Sequence, residues 1–169
     1  MSKEMRVMDV KVLFMDVDGT LTDGKIYMGA DGEVCKAFNI KDGYGIHDIL
    51  IPIGIVPAII TGRSSEIVIK RCAELGIFEV HQGVRDKTDK MKEVLEKRGL
   101  FLQNAAYIGD DINDIPCMKI IKLAGGVVGC PFDAAEEIKN ISDYISSYKG
   151  GEGAVRDFIE WIVKDKEKE

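Results

Sequence analysis

Short apolar runs rich in β-branched residues alternate along the chain with longer stretches whose apolar positions recur at helical spacing. Val10 to Met15, Val56 to Ile60, Glu79 to His81 and Ala105 to Ile108 predict strands, with weaker ones at Leu123 to Val128 and Tyr144 to Ser146. Helical spacing predicts helices over Tyr44 to Leu50, Ser65 to Leu75, Lys87 to Arg98, Asp114 to Lys119, Ala134 to Lys139 and Ala154 to Lys164. In the last of these, Val155, Phe158, Ile159 and Ile162 make one apolar face. The segment Lys25 to Ile40 breaks the alternation: two short strand patterns flank Gly29-Ala30-Asp31-Gly32 and predict a β-hairpin inserted after the first strand. The whole pattern predicts a doubly wound α/β fold with a mainly parallel sheet. One domain is expected over 1–169, with the hairpin at 25–40 and a C-terminal tail and helix at 150–169.

Chemistry-bearing residues sit where the predicted strands end. The first strand runs into Asp16-Val17-Asp18-Gly19-Thr20, and two carboxylates aimed at one site repel each other unless a cation lies between them. The second ends in Thr61-Gly62 ahead of a helix whose cap is Ser64 or Ser65; a hydroxyl, a glycine amide and a helix N-terminus together suit a phosphate group. Lys87 opens the helix after the third strand, and Gly109-Asp110-Asp111, with Asp114, follows the fourth. In a parallel sheet such strand ends converge on one edge, so residues far apart in sequence can build one pocket. A hard cation such as Mg²⁺ would take oxygen ligands from Asp16, Asp110 and the backbone carbonyl of Asp18. Lys87, Thr61 and Gly62 would hold phosphoryl oxygens, Asp16 would be the nucleophile and Asp18 the acid and base.

Composition narrows the partners. With 169 residues, 46% apolar content and a net charge of −6, the chain is an ordinary globular domain without the positive charge that nucleic-acid binding requires. No nucleic-acid or membrane partner is expected, since no apolar stretch is long enough to span a bilayer. The four cysteines show no paired spacing, which fits reduced thiols and a cytoplasmic location.

The motifs DVDGTLTDG, IITGRSSEIVIKRCAELGI, HQGVRDK and AAYIGDDINDIPCM, with the hairpin IYMGADGEVCKAFNIKDGYGI and the tail GGEGAVRDF, resemble the haloacid dehalogenase superfamily over almost the whole chain. Within it they are most similar to the capless 3-deoxy-D-manno-octulosonate 8-phosphate (KDO 8-phosphate) phosphatases. That resemblance implies a Mg²⁺-dependent phosphoric monoester hydrolase in KDO and lipopolysaccharide biosynthesis, with an anionic sugar phosphate as substrate. It implies Asp16 as nucleophile, Asp18 as acid/base, Lys87 as phosphate-binding lysine and Asp110 as a metal ligand. It also implies that Asn39, Ile40, Lys41, Asp42 and Gly43, with His47, Arg63 and Arg71, contact substrate. The eight-residue spacing of Arg63 and Arg71, about two helical turns, would put both on one side. His47 stands where some members carry Arg or Lys, and Glu152 replaces an Arg found in others.

Only 42 residues separate Asp18 from Thr61, and the hairpin, one helix and a strand use them, so no cap domain fits. The resemblance therefore implies a homotetramer that closes the site with the hairpin and the tail, although Gly150 to Gly153 by itself reads as a flexible loop. A phosphatase for a nine-carbon sugar acid, KDN 9-phosphate or N-acetylneuraminate 9-phosphate, is the alternative within the enzyme class; Arg63 after Thr61-Gly62 favours the eight-carbon substrate. A receiver-like phosphorylation switch would place its acidic pair and phosphoacceptor in a different motif order. A non-catalytic oligomerisation module would not need Asp16, Asp18, Lys87 and Asp110 intact.

Overall fold

The computed structural model describes residue 7 and residues 9–166. Six strands form one parallel sheet in the order β5-β4-β1-β6-β7-β8: β1 (Val12–Met15), β4 (Val56–Ile60), β5 (Glu79–His81), β6 (Ala105–Ile108), β7 (Val127–Cys130) and β8 (Tyr144–Ile145). Every residue of β1, β6 and β7 is buried, as expected for a parallel sheet covered on both faces. Alternate side chains of β1 serve opposite cores. Leu13 and Met15 pack with residues of α1 (Ile40–Tyr44, continuing as a π-helical turn over Gly45–Leu50), α2 (Glu66–Glu74) and α6 (Ala154–Lys166). Val12 and Phe14 pack with residues of α3 (Lys87–Lys97), α4 (Ile115–Ala124) and α5 (Glu136–Ile141).

The expected doubly wound fold is present, and the expected apolar face of α6 is real: Val155, Phe158, Ile159 and Ile162 are all fully buried. The hairpin forms as β2 (Tyr27–Gly29) and β3 (Gly32–Cys35), an antiparallel pair separate from the main sheet. Several boundaries differ from expectation: β1 begins at Val12 rather than Val10, and α4 runs over Ile115–Ala124 rather than Asp114 to Lys119. The stretch expected as a strand over Leu123 to Val128 begins as the end of α4. Gly125, at φ 96°, closes that helix in the left-handed conformation glycine favours, and β7 starts only at Val127. The helix expected from Tyr44 begins at Ile40, where the Asn39 side chain accepts from the Lys41 N–H and caps it. The helix expected over Ala134 to Lys139 starts at Glu136 and runs to Ile141.

Beyond β1 the chain turns to β4 and β5 on one side of the sheet, then returns to β6, β7 and β8 on the other. The reversal lies between β1 and β6, and in open α/β sheets ligands bind outside the carboxyl ends of the strands at such a point. Asp16 follows β1 and Asp110 follows β6, so the topology alone puts the two carboxylates side by side.

Candidate active site

Asp16, Asp18, Thr61, Gly62, Arg63 and Asp110 line one cavity of about 330 Å³ at this edge of the sheet. The turn after β1 needs Gly19, at φ 91°, because a Cβ there would lie 2.0 Å from Oδ2 of Asp110. Next to it the Thr20 hydroxyl donates to Oδ1 of Asp110 at 3.0 Å, so one loop carries the nucleophile candidate and also orients the carboxylate opposite. The loop is held in turn by the tail. Gly150 approaches so closely that a Cβ would meet the Gly19 carbonyl oxygen at 1.8 Å, and the Gly151 N–H donates to the Thr20 carbonyl at 3.1 Å. The start of the Gly-Gly-Glu-Gly segment is thus packed as a brace against the loop that carries this chain's own site, where its composition alone suggested a flexible loop.

Lys87 lies beneath the cavity. Asp86 caps α3 by accepting from the N–H groups of Thr88 and Asp89, which fixes the first helical residue and turns Lys87 inward. Its Nζ is 2.9 Å from Oδ1 of Asp16 and 2.8 Å from Oδ1 of Asp114. Asp114, fully buried, also accepts from the Tyr107 hydroxyl at 2.7 Å and from the Asp110 N–H at 3.2 Å. Burial alone would lower the Lys87 ammonium, but the two carboxylates outweigh it and hold the group above an ordinary lysine.

Negative charge exceeds what Lys87 neutralises. Burial, then repulsion from Asp114, pushes Asp16 up from 3.8 to about 6 despite Lys87. Burial, then Asp16 and Asp114, pushes Asp110 up to about 7 although the Thr20 hydroxyl opposes it. Oxygens of Asp16, Asp110 and Asp114 all lie within 4.8 Å of one another. A buried all-oxygen donor set with displaced titrations fits a hard divalent cation. Asp114 already accepts at both oxygens, so Asp16 and Asp110 are the carboxylates left to face an ion.

Asp18 lines the same cavity and is held from the hairpin and from the second strand-end loop. Its Oδ1 pairs with Lys36 and its Oδ2 lies 3.7 Å from Nε of Arg63. Ser65 is the N-cap residue of α2, yet its hydroxyl makes no capping bond and donates to Glu33 on the hairpin at 2.6 Å. Sequence singles out Asp114 within the acidic cluster but leaves its role open, and it does not single out Lys36, Glu33 or Tyr107 as members of the site. Lys36 and Glu33 carried no spacing signal at all.

The remaining expected substrate residues do not line this cavity within the chain. Asn39 caps α1 and donates to the Gly151 carbonyl at 3.3 Å, while Ile40 and Lys41 are exposed. The Asp42 carboxylate accepts from the Arg156 N–H at 2.8 Å, at the start of α6. Gly43 lies against the guanidinium of Arg71, and Arg71 pairs with Glu74 at 3.1 Å. Asn39, Asp42, Gly43 and Arg71 share a void of about 10 Å³, no larger than one water and too small for a sugar. His47 pairs with Asp48 at 3.3 Å on an exposed face. The expectation that Arg63 and Arg71 share a helical side fails because Arg63 precedes the N-cap Ser65, so helical spacing does not relate the two.

No protein-family model matches the chain. It is 42% identical over 155 residues to the KDO 8-phosphate phosphatase of Salmonella typhi, a match covering 92% of this chain and 80% of that protein. It superposes with a TM-score of 0.91 and 39% identity on the crystal structure of the KDO 8-phosphate phosphatase from Yersinia pestis, over 98% of this chain and 86% of that one. The Moraxella catarrhalis KDO 8-phosphate phosphatase, solved in complex with magnesium ion, phosphate ion and KDO, gives a TM-score of 0.89 at 39% identity, over 96% of this chain and 90% of that one. These likenesses run through the same strand ends that bring Asp16, Lys87 and Asp110 together, and the chain belongs to the KDO 8-phosphate phosphatase family of the haloacid dehalogenase superfamily.

Proposed function

We propose that this protein hydrolyses KDO 8-phosphate to KDO and phosphate through an aspartyl-phosphate on Asp16. The observation that carries the reading is the 2.9 Å approach of Lys87 to Asp16 at the floor of a cavity that also holds Asp18, Thr61, Gly62 and Asp110. Unaided hydrolysis of phosphate monoesters is so slow that an acceleration of up to ~10²¹ is required, more than any one group supplies. Asp16 divides the reaction into two displacements at phosphorus, each with an oxygen nucleophile and an oxygen leaving group. Lys87 holds a phosphoryl oxygen beside Asp16, and Thr61 and the Gly62 amide hold others. Asp18 gives a proton to the departing sugar oxygen and later takes one from the water that releases phosphate. Mg²⁺, held by Asp16, Asp110 and the backbone carbonyl of Asp18, supplies positive charge to the transferring group when bound.

Arg63, beside Asp18 at the rim, is the substrate contact that this cavity supports directly. Asn39 to Gly43, His47 and Arg71 form a second group on the side of α1 and α2, and we assign it to substrate binding where another protomer completes the site. A homotetramer, with the whole chain as one domain in each protomer, accounts for the apolar side chains the hairpin exposes: Met28 is 64% and Val34 63% accessible. No helix among the described residues is long and apolar enough to cross a membrane. The four unpaired cysteines, three of them buried, accord with a cytoplasmic location. The test is phosphate release from KDO 8-phosphate, KDN 9-phosphate and N-acetylneuraminate 9-phosphate, with and without Mg²⁺. The highest kcat/KM is expected for KDO 8-phosphate; a higher value for a nine-carbon ester, or activity surviving Asp16→Ala, refutes the reading. Light scattering on the eluting protein checks the tetramer.

A further inference from the structure

The hairpin reaches into the site of its own chain. Lys36, just beyond β3, buries its side chain to 1% exposure and pairs with Asp18 and, at 3.0 Å, with Glu33. Glu33 in turn lies 3.5 Å from Nη2 of Arg63 and accepts from the Ser65 hydroxyl at 2.6 Å. The two oxygens of Asp18 thus face two different cations, and one hairpin carboxylate ties both cations to the start of α2. Solvated lysines on a hairpin are seldom arranged this way, because an exposed pair gains little for the side-chain freedom it loses. Here the ammonium is enclosed and its partners are themselves anchored.

We propose that Lys36, braced by Glu33, is a positioning residue for Asp18, setting the direction in which the Asp18 carboxylate faces the departing oxygen. Asp18 sits on a loop beyond the end of β1, where its side-chain torsions are free unless something holds them. Proton transfer requires a heavy-atom approach of roughly 2.6–3.2 Å, and a displacement of about 1 Å costs on the order of 100-fold in rate. The proton that reaches the leaving oxygen comes from Asp18, and Lys36 keeps its own. The hairpin is thereby part of the catalytic apparatus of the chain that carries it, whatever it also covers in an assembly. The inference rests on the reading of Asp18 as the acid.

The test is leaving-group dependence. Aryl phosphates running from p-nitrophenyl phosphate, whose phenolate departs unprotonated, to phenyl phosphate, whose leaving oxygen needs a proton, all lack the carboxylate of a sugar acid. Loss of a contact to such a carboxylate would leave their relative kcat/KM values unchanged. Asp18→Asn is expected to lose on the order of 100-fold or more with phenyl phosphate and far less with p-nitrophenyl phosphate. Lys36→Met is expected to show the same selectivity at about tenfold, staying within about threefold of the parent on p-nitrophenyl phosphate, with Lys36→Arg recovering most of the loss. Glu33→Gln should fall between Lys36→Arg and Lys36→Met. The comparison is made in kcat/KM, which ends at departure of the leaving group and so excludes the later role of Asp18 with water; circular dichroism and thermal unfolding report that each variant is folded. Equal losses on all esters, or no loss, for both Lys36→Met and Glu33→Gln overturn the proposal while Asp18→Asn remains selective. If Asp18→Asn shows no selectivity, the acid reading fails and the proposal with it.

Discussion

Protons and Mg²⁺ compete for the same oxygens, so the metal affinity of this protein should fall steeply on mild acidification. In the metal-free site Asp16 is pushed to about 6 and Asp110 to about 7, both from 3.8. Shifts of this size correspond to roughly 3 and 4 kcal/mol held against the charged forms. The folded chain therefore binds more protons than the unfolded one from about pH 4 to about pH 7, and without metal it loses stability as pH rises through that window. At about pH 8 both carboxylates are open to the cation. Near pH 6 protons occupy much of this coupled pair, Asp110 ahead of Asp16, which lowers apparent Mg²⁺ affinity on the order of 10- to 20-fold. At a Mg²⁺ concentration about 100 times the Kd near pH 8, binding stabilises by about 2.7 kcal/mol, and near pH 6 the same concentration gives about 1 kcal/mol. For a chain of this length these values correspond to rises in Tm of about 5–11 °C and about 2–4 °C. Thermal unfolding with and without Mg²⁺ at the two pH values, with calorimetric titration beside it, measures both. Equal rises at the two pH values, or a full Mg²⁺ effect in Asp110→Asn, would refute the assignment of these oxygens to the cation.

Asp114→Asn removes the buried charge that anchors Lys87 and puts an amide against groups that all donate; a loss of about 3–5 kcal/mol in urea denaturation is expected, with a fall in kcat even where the fold survives. Gly150→Ala drives a methyl group into the Gly19 carbonyl, so about 1–3 kcal/mol of stability should be lost and activity with it, because the displaced loop carries Asp16 and Asp18. Asp42 is raised by burial to about 6 despite the backbone N–H of Arg156, so it makes wild-type stability fall as pH rises from about 4 to about 6. Asp42→Asn should remove up to about 3 kcal/mol of that decline, read as a flatter curve of denaturation midpoint against pH.

Elements whose cause is local could be read from the chain. Val56–Ile60 and Ala105–Ile108 are strands with the boundaries their apolar runs predict, because each is a short, largely buried run ended by residues that cannot continue it, and the partly buried Glu79–His81 pairs beside Val56–Ile60 as expected. Where two glycines follow an apolar helix the boundary was not legible: Leu123 has strand-like company but is 87% exposed at the end of α4. A residue's period along the chain does not say when a left-handed glycine will end the helix.

The same division runs through the site. The sequence by itself determined that Asp16, Thr61 and Asp110 would meet, since each follows a strand and parallel strands deliver their ends to one edge. Tertiary structure alone decided that Asp114 would anchor Lys87, that the tail glycines would brace the loop after Asp16, and that Lys36 and Glu33 would reach Asp18 from the hairpin. It also placed Arg71 beside Gly43 rather than beside Arg63. The reason is physical: convergence at a sheet edge follows from topology that periodicity reveals, whereas these contacts depend on how separate elements pack in space, and no spacing along the chain encodes that.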